Sequence, residues 1–357
     1  MPPLHEFLNA DRQHRDAVLI LLDLAWHAHD HDIAPPESLS CHQTPVGRSR
    51  QGDVGCAMNP HSPTPPTYGP LEQQAASKLI RLAIAEDLGE NGIQGDRTGQ
   101  ALIAADAMGR VEIRNRQAGT VCGIPVVNQL LTAYAPAVTP TWDVEDGARL
   151  DTVATVGTLE GPVQHLLALE RIALNVLGYL SGIATSTAAH VEAVHGTRAV
   201  VLDTRKTLPG WRHLAKYAVA CGGGTNHRMG LFDAILIKDN HLASLGNARD
   251  VATAVSVARN SSDPGVLIQV EVDTLEQLED ALKGGPDMVL LDNMTNGQLT
   301  QAVATRDQQA PGVLLEASGG ITLTGIAAVA ATGVDRISLG GLTHTVTNWD
   351  VGFDWVG

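Results

Sequence analysis

Aromatic residues and cysteines are scarce in this chain, and basic residues are outnumbered by acidic ones. Of its 357 residues, 3% are aromatic and 4 are cysteines, which are scattered without a C-x-x-C pair or a histidine at metal-ligand spacing. We therefore expect reduced thiols rather than a disulfide framework or a zinc site. With 24 basic and 39 acidic residues the formal net charge is −15, which argues against non-specific nucleic-acid binding. An anion site in this chain requires a local basic cluster.

Long hydrophobic runs are also missing. The best candidate, Val18–Trp26, is interrupted by Asp23 and falls well short of the roughly 18 apolar residues of a membrane span. The segment Met1–Asp16 lacks a basic region followed by an apolar one, so it does not resemble a signal peptide. We predict a cytoplasmic protein with no membrane partner. Its 44% hydrophobic content and its length predict two folded domains.

Residues 1–70 differ in composition from the rest of the chain and are predicted to be a poorly ordered appendage. Half of the 14 histidines lie here, and Pro60–Pro70 is a Pro-rich linker. His27, His29 and His31 alternate, which suits a metal ion only if the segment is extended. A solvated polar patch is the favoured interpretation.

The segment 71–180 is predicted to be a small N-terminal α/β sandwich domain, completed by residues 341–357. Gln74–Leu88 has apolar residues at helical spacing and ends at a glycine, and Pro162 opens a second helix, Val163–Tyr179. Alternating apolar and polar residues predict strands in three short runs: Gly109–Asn115, Thr120–Val127 and Val153–Glu160.

From 181 to 340 short apolar runs alternate with amphipathic stretches, which predicts a parallel β/α barrel, complete or incomplete. The predicted strands are Ala199–Asp203, Ala234–Lys238, Val266–Val272, Met288–Asp292, Val313–Ser318 and Arg336–Gly340. The predicted helices are Asn247–Arg259, Leu275–Lys283, Gln298–Asp307 and Leu323–Ala331. The fold class is therefore α/β, with a small sandwich domain and a barrel.

The apolar runs end in polar or glycine residues. These are Asp203, Lys238, Asp292, Glu316 with Ser318, and the glycines after Leu339, while Glu271 lies one residue before the end of its run. The carboxyl ends of barrel strands build the active site in this architecture, so we predict a pocket of mixed charge at the barrel mouth. The alternative is that each strand merely ends in a solvated charge.

The densest group of cations lies between positions 203 and 241. Arg205, Lys206, His227, Arg228 and Lys238 fall within 37 residues of an acidic protein, near strand ends or in loops with glycine. Arginine matches carboxylates bidentately and lysine serves phosphate as a point charge. The cluster predicts a ligand with several carboxylates and phosphates.

This stretch and several collinear motifs resemble the quinolinate phosphoribosyltransferases, and the resemblance covers about residues 72–350. The motifs are Glu86–Gly89, Glu170–Asn175, Ser181–Thr185, Asp203–Gly210, Asn226–Arg228, Ile237–His241, Glu271, Leu291–Asn293, Ser318–Ile321 and Leu339–His344. Departures are modest: they fall at Arg97 and Gly99, and at Gly341, where alanine is more usual. These put the phosphate geometry in question but not the reaction class.

The resemblance implies a reaction in NAD biosynthesis in which quinolinate and phosphoribosyl pyrophosphate give nicotinate mononucleotide, pyrophosphate and carbon dioxide. It implies that the two carboxylates of quinolinate are bound by Arg171, Arg205, His227, Arg228 and Lys238. It places Lys206 and Lys238 against pyrophosphate, and Glu271 and Asp292 against the ribose hydroxyls and a Mg²⁺ shell completed by substrate oxygens. The 5′-phosphate is expected against Ser318, Gly319 and Gly340, and Gly320 and Gly341 are further implied substrate-binding residues. Lys206, Lys238, Glu271 and Asp292 are the implied catalytic residues.

The resemblance also implies a homodimer, because it places Arg171 in the partner's site. Three alternatives stay open. The chain could act on another small acid, or bind phosphorylated sugars as a non-catalytic regulator. Lys238 could instead be a Schiff-base nucleophile, which would require an apolar setting and is disfavoured by Arg228 and Asp239.

Overall fold

The structure is a computed structural model that describes residues 66–245 and 250–356. The predicted appendage and its linker lie outside the described residues as far as position 65, as do His27, His29 and His31. What was expected of them stays a prediction.

The first sheet is antiparallel and joins N-terminal strands to the last strand of the chain. The strands of this part are β1 (Met108–Asn115), β2 (Gly119–Thr120), β3 (Thr139–Trp142), β4 (Arg149–Leu150), β5 (Thr155–Pro162) and β12 (Val351–Trp355). Four of them pair in the order β12-β1-β5-β3, and β2 pairs with β4. Val111 lies opposite Trp355 on one side and opposite Leu159 on the other. The C-terminal strand is thus part of the N-terminal sheet, while the predicted domain boundaries stay predictions.

Four α-helices accompany this sheet: α1 (Pro70–Leu88), α2 (Arg97–Leu102), α3 (Ile124–Tyr134) and α4 (Val163–Ala193). The predicted helix ending at Leu88 is confirmed, but it begins at Pro70. Proline is favoured at the first helical position, and the carboxylate of Glu72 accepts the backbone N–H of Gly69 at 3.0 Å. Both features place the start of the helix at Pro70, about one turn before Gln74, where the sequence predicted it.

Helix α4 is longer than the predicted Val163–Tyr179 because tertiary contacts carry it past Gly182. A Cβ at Gly182 would lie 2.3 Å from the carbonyl oxygen of Thr347, so glycine permits close packing there. Next to it, Ser181 Oγ accepts the N–H of Cys122 at 2.9 Å and donates to its carbonyl at 3.1 Å. Among the described helices, α4 is long and apolar enough to cross a membrane, but 72% of its most apolar window is buried inside the protein. It is a core helix.

The second sheet is parallel and has six strands. They are β6 (Val200–Leu202), β7 (Ile235–Ile237), β8 (Ile268–Val272), β9 (Met288–Asp292), β10 (Leu314–Ser318) and β11 (Arg336–Ser338). Their order is β6-β11-β10-β9-β8-β7, and every neighbouring pair is parallel. All six predicted strands are confirmed. Within the described part of the chain β6 and β7 do not pair with each other, so the barrel is incomplete.

The helices of this half follow the strands: α5 (Arg212–Cys221), α6 (Asp239–Ser244), α7 (Val251–Ser261), α8 (Leu275–Gly284), α9 (Asn296–Gln309), α10 (Ile326–Ala330) and α11 (Gly341–His344). Two of these helices begin after a threonine, a residue type that commonly caps helix N-termini. Thr274 accepts the N–H of Gln277 before α8, and Thr295 plays the same part for Gln298 before α9. The four predicted helices of this region correspond to α7, α8, α9 and α10.

One predicted strand was wrong. Of the run Thr120–Val127 only Thr120 belongs to a strand, the two-residue β2, and helix α3 starts at Ile124. Pro125 lies in the first turn, and the Asp146 carboxylate accepts the N–H groups of Gly123 at 2.9 Å and Ile124 at 3.0 Å. Because this cap comes from a distant position, the local pattern could not show it.

Candidate active site

A cavity of about 560 Å³ lies at the carboxyl ends of the parallel strands. It brings together 12 of the 13 residues that the sequence predicted for the site: Arg205, Lys206, His227, Arg228, Lys238, Glu271, Asp292, Ser318, Gly319, Gly320, Gly340 and Gly341. Ten of them lie at the ends of the six parallel strands or directly after them, and the other two, His227 and Arg228, lie in the loop between α5 and β7. Such convergence requires the sheet to curve, and it is the arrangement expected of a β/α barrel.

Arg171 is the predicted site residue that does not line the cavity. Its side chain is exposed on α4, and it makes no hydrogen bond or ion pair within residues 66–245 and 250–356. The alternative pairing with its neighbour Glu170 is not seen there either. An exposed arginine without a partner remains available to a second chain.

Lys238 forms an ion pair with Glu271 on the cavity wall. It follows β7, and its own N–H donates to Nδ1 of His241 at 3.0 Å, so His241 orders the turn into α6. The Schiff-base alternative required an apolar setting for this lysine. A direct carboxylate partner and a side chain that is 41% exposed argue against it.

The two arginines of the cavity are close enough to influence each other. The pKa of the Arg228 guanidinium is lowered, first by burial and second by the positive charge of Arg205. The negative charge of Asp233 opposes this shift. Arg228 donates to the carbonyl of Ala234 at 2.9 Å. Nε of Arg205 is a buried donor without a hydrogen-bond acceptor among the described residues. Two adjacent guanidiniums with an unused donor suit an anionic ligand.

Arg212, which the sequence analysis did not select, holds the loop that carries Arg205. Its guanidinium donates to the carbonyl of Arg205 at 3.3 Å, to the carbonyl of Met229 at 3.1 Å and to Oγ1 of Thr207 at 3.2 Å. The loop after β6 is thereby joined to the loop that follows Arg228. No local pattern distinguishes such a residue from a surface arginine, because its acceptors are backbone groups brought in by the fold.

A buried ion pair supports the backbone at His227. Lys216 of α5 and Asp203 pair directly, and both side chains are almost completely buried. Lys216 donates to the carbonyl of His227 at 2.8 Å, and the N–H of His227 donates to Asp203 at 2.8 Å. Burial lowers the pKa of Lys216 and raises that of Asp203, so each needs the other's charge to stay ionised. The pair clamps the segment that carries His227 and Arg228.

The glycines at the cavity rim are needed at some positions and not at others. Gly319 has φ +95°, and a Cβ there would lie 2.2 Å from Oδ1 of Asn293. A Cβ at Gly340 would lie 2.8 Å from Cδ of Lys206. At Gly341, by contrast, a Cβ would meet no atom within 4 Å, so an alanine fits this backbone. The departure noted at this position carries no steric consequence.

Several lining residues were not assigned a role from the sequence. They are Thr204, Glu316, Ile321, Thr322, Ser338 and His344, together with Leu236, Leu290 and Leu339. His344 is the last residue of the motif that begins at Leu339. Glu316 lies two residues before Ser318 on β10. Since side chains two apart on a strand share a face, this parity was the available signal for Glu316.

Outside the cavity, Cys122, Asp146 and Cys221 bring three potential metal-ligand atoms within 4.8 Å of one another. The Asp146 carboxylate already accepts the N–H groups of Gly123 and Ile124, and it also accepts the hydroxyl of Tyr217 at 3.0 Å. It is committed to capping α3 and to joining α5. Both cysteines are buried free thiols, in agreement with the expectation for these two.

Comparison with known proteins agrees with this geometry. Residues 96–181 match the model of the quinolinate phosphoribosyl transferase N-terminal domain, and residues 183–354 match that of the C-terminal domain. The nicotinate-nucleotide pyrophosphorylase (carboxylating) of Mycobacterium leprae is 44% identical over 285 residues, which are 79% of this chain and 98% of that protein. A probable enzyme of the same name from Bacillus subtilis is 37% identical over 78% of this chain and 92% of its own length.

Solved structures show the same relationship. The nicotinate-nucleotide pyrophosphorylase of Francisella tularensis superposes with a TM-score of 0.73 at 35% identity, covering 80% of this chain and 97% of that one. The corresponding protein of Ehrlichia chaffeensis also gives 0.73 at 35% identity, over 78% and 98% of the two chains. With both family domains matched in order and the cavity at the barrel mouth, the chain belongs to the quinolinate phosphoribosyltransferase family.

Proposed function

We propose that this chain is a decarboxylating quinolinate phosphoribosyltransferase of NAD biosynthesis. It joins quinolinate to phosphoribosyl pyrophosphate and releases pyrophosphate and carbon dioxide, leaving nicotinate mononucleotide. The observation that carries the proposal is the cavity, where Arg205, Lys206, Arg228 and Lys238 meet in a protein of formal charge −15. The unsatisfied Nε of Arg205 supports a carboxylate ligand, because a buried donor without an acceptor is costly.

The proposed binding mode follows the distribution of charge around the cavity. The two carboxylates of quinolinate lie among Arg205, His227, Arg228 and Lys238, with Arg171 added from a second subunit. Lys206 and Lys238 face the pyrophosphate. The 5′-phosphate is held by Ser318 and by backbone N–H groups at Gly319, Gly320, Gly340 and Gly341, where the glycines at 319 and 340 allow the backbone to approach closely.

Catalysis in this proposal depends on position and charge more than on a single base. The bond from the ribose carbon to pyrophosphate breaks as the ring nitrogen attacks, and the ribose becomes cation-like. The carboxylates of Glu271 and Asp292 stabilise that charge, while Lys206 and Lys238 neutralise the leaving pyrophosphate. Once the ring nitrogen is ribosylated, its positive charge stabilises the electron pair that the departing carbon dioxide leaves on the adjacent ring carbon, and that carbon then takes up a proton from water to give nicotinate mononucleotide.

Magnesium is proposed as the associated metal ion. Glu271 and Asp292 both line the cavity, and two carboxylates beside substrate oxygens are the donor set that Mg²⁺ prefers over a complete protein cage. The residues present therefore fit the ion. When bound, it neutralises charge on the pyrophosphate oxygens. Glu271 has a second partner in Lys238, so its carboxylate serves a cation with or without the metal.

The assembly and the location are proposals of the same kind. Arg171 is exposed and lies outside the cavity, which supports a homodimer in which each chain completes the site of the other. A cytoplasmic location without a nucleic-acid or membrane partner is supported by the net charge of −15 and by the burial of α4.

A product assay tests the function. The full chain is incubated with quinolinate, phosphoribosyl pyrophosphate and Mg²⁺, and nicotinate mononucleotide and carbon dioxide are expected in equal amounts. Controls omit one substrate at a time or replace quinolinate by nicotinate, which cannot release carbon dioxide. A product formed equally well from nicotinate would instead identify an enzyme for another small acid. If both substrates raise the melting temperature but no product forms, the chain is a binding protein.

A further inference from the structure

Glu316 has no role in the proposed ligand contacts, yet it is an acidic group in a cavity built for anions. It lies in the middle of β10, its side chain is fully buried, and it lines the cavity. A carboxylate in that place repels both proposed substrates. Its position therefore calls for a reason inside the protein.

Two cationic or polar side chains meet this carboxylate from different elements. Nε of Arg336 donates to Oε2 at 3.0 Å from the neighbouring strand β11, where Arg336 is the register partner of Glu316. Nε2 of His227 lies 3.3 Å from Oε1, from the loop that the Asp203–Lys216 pair clamps. Burial alone raises the pKa of Glu316, but His227, Ser338 and Arg336 together hold it at about 2. The group is an anion at neutral pH.

The contact between Glu316 and His227 falls short of full hydrogen-bond geometry, because Oε1 has no hydrogen-bonded donor among the described residues. Such contacts in ligand-free active sites commonly tighten when the substrate binds. Among the described residues, the imidazole is the nitrogen donor on the Oε1 side, since Arg336 occupies Oε2. The two atoms are already within hydrogen-bond distance, so a reorientation of the ring completes the bond.

The other ring nitrogen of His227, Nδ1, already accepts a hydrogen bond. Nδ1 of His227 accepts the backbone N–H of Arg228 at 2.7 Å. A ring nitrogen that accepts a hydrogen bond carries no proton, so the proton of the neutral ring lies on Nε2 and faces Glu316. The imidazole thus links a buried carboxylate to the backbone of a cavity arginine.

We propose that Glu316 is a positioning residue, which fixes the tautomer and the orientation of His227 and through it the backbone that presents Arg228 to the substrate. This inference rests on the proposed function, because Arg228 is taken as a ligand of the quinolinate carboxylates. Both nitrogens of His227 are then used within the protein. The imidazole acts on quinolinate by holding Arg228 in place, while the guanidiniums and Lys238 supply the positive charge.

The first test is made on the unaltered protein, and a variant serves only to assign its signals. The full chain is prepared with ¹⁵N-labelled histidine, and the His227 signals are assigned as those lost in a His227→Gln protein. Long-range ¹H–¹⁵N spectra are expected to show a protonated Nε2 and an unprotonated Nδ1 at neutral pH. A proton on Nδ1, or a ring protonated at both nitrogens, would overturn the proposal whatever the enzyme assay shows.

The second test separates positioning from a structural role of the same carboxylate. In Glu316→Gln a single amide oxygen must serve two donors, so the KM for quinolinate should rise roughly tenfold, the effect of one misplaced hydrogen bond. The KM for phosphoribosyl pyrophosphate should change by less than about twofold. The matched control is Arg336→Gln, which removes the other partner of Glu316, lies outside the cavity lining and should lower only the melting temperature.

The outcomes separate the two proposals. An equal rise in the KM for quinolinate in both variants, or no rise in Glu316→Gln, would show that the carboxylate is only structural. A wild-type chain without any product fails the proposed function instead, and the tautomer measurement still decides the role of Glu316. If Glu316→Gln does not fold, the same measurement on the unaltered protein stands alone.

Discussion

Lys238 and Glu271 illustrate how single residues of the site combine opposite charges. In the proposed mechanism the lysine binds an anion and the glutamate stabilises a cation-like ribose, and the two side chains pair with each other on the cavity wall. The ion pair orders both side chains at the cavity without a ligand. Arg205 is arranged differently, because its carbonyl is held by Arg212 while its Nε remains without an acceptor among the described residues.

At this scale we predict that Arg205→Ala and Lys238→Ala each lower kcat/KM by about a hundredfold or more, because losing a charge-assisted contact costs the transition state its positioning. Melting curves should stay close to that of the unaltered chain. The matched control is Arg81→Ala, an exposed arginine on α1 outside the cavity, which should retain full activity. Turnover near the original value in either cavity variant, with an intact fold, contradicts the assignment.

At the scale of elements, the two ends of the parallel strands differ in what they do. The amino ends carry a buried network in which Arg306 of α9 donates to Asp335 at 2.6 Å and to the carbonyl of Val313 at 2.8 Å. Asp335 also accepts the N–H of Leu315 at 2.9 Å. These contacts join helix to sheet. The carboxyl ends carry the cavity, where the loop backbone rather than a helix face provides much of the proposed phosphate contact.

The loop after β10 gives a prediction at this scale. Gly319→Ala places a Cβ against Asn293 at a φ of +95°, which should cost about 1–3 kcal/mol of local strain. The KM for phosphoribosyl pyrophosphate should therefore rise more than that for quinolinate. Gly341→Ala, where a Cβ meets open space, should be much better tolerated.

A control for this pair is Gly297→Ala in α9, which also has open space and lies away from the cavity. It should leave both KM values unchanged. Equal effects of the alanines at positions 319 and 341 would mean that the rim does not bind phosphate through its backbone.

At the scale of the whole molecule, the exposed Arg171 leads to a test of the shared site. Chains carrying Arg171→Ala and chains carrying Lys238→Ala are unfolded and refolded together. Random pairing makes about half of the dimers mixed, and each mixed dimer has one site with both residues intact, so roughly a quarter of all sites should work. If each site were built within one chain, every site would carry a defect. Activity no higher than that of the separate variants, with mixed dimers confirmed by mass spectrometry, rules out sharing.

A second prediction for the whole chain concerns its N-terminal part. A protein that begins at Met58 should keep its activity, because the sequence predicts a Pro-rich linker between the N-terminal appendage and the rest of the chain. A start at Leu71 removes Tyr68, whose hydroxyl donates to Gln129 at 3.0 Å and whose ring packs edge-on against Tyr217 at 5.5 Å. That shorter chain should melt at a lower temperature. Insoluble or inactive protein from the Met58 start would show that the appendage is needed.

The local features of this protein could be predicted from its amino-acid sequence. Strands, helices and caps such as Thr274 and Thr295 depend on residues close together in the chain, and so the six parallel strands could be predicted. The polar ends of those strands also predicted the cavity, because parallel strands in a barrel all present their carboxyl ends to one side. Ten of the thirteen predicted site residues meet there for that reason, whereas His227 and Arg228 reach the cavity from the loop after α5.

Features that depend on residues far apart in the chain became visible in the folded structure alone. The start of α3 depends on Asp146, the length of α4 on the close approach of Thr347 to Gly182, and the position of Arg205 on Arg212. The same is true of Glu316, whose parity places it on the cavity face but whose partners come from β11 and from a loop. These caps, close contacts and buried ion pairs join groups that are far apart in the chain. The residues next to each group in the sequence therefore do not predict its partner.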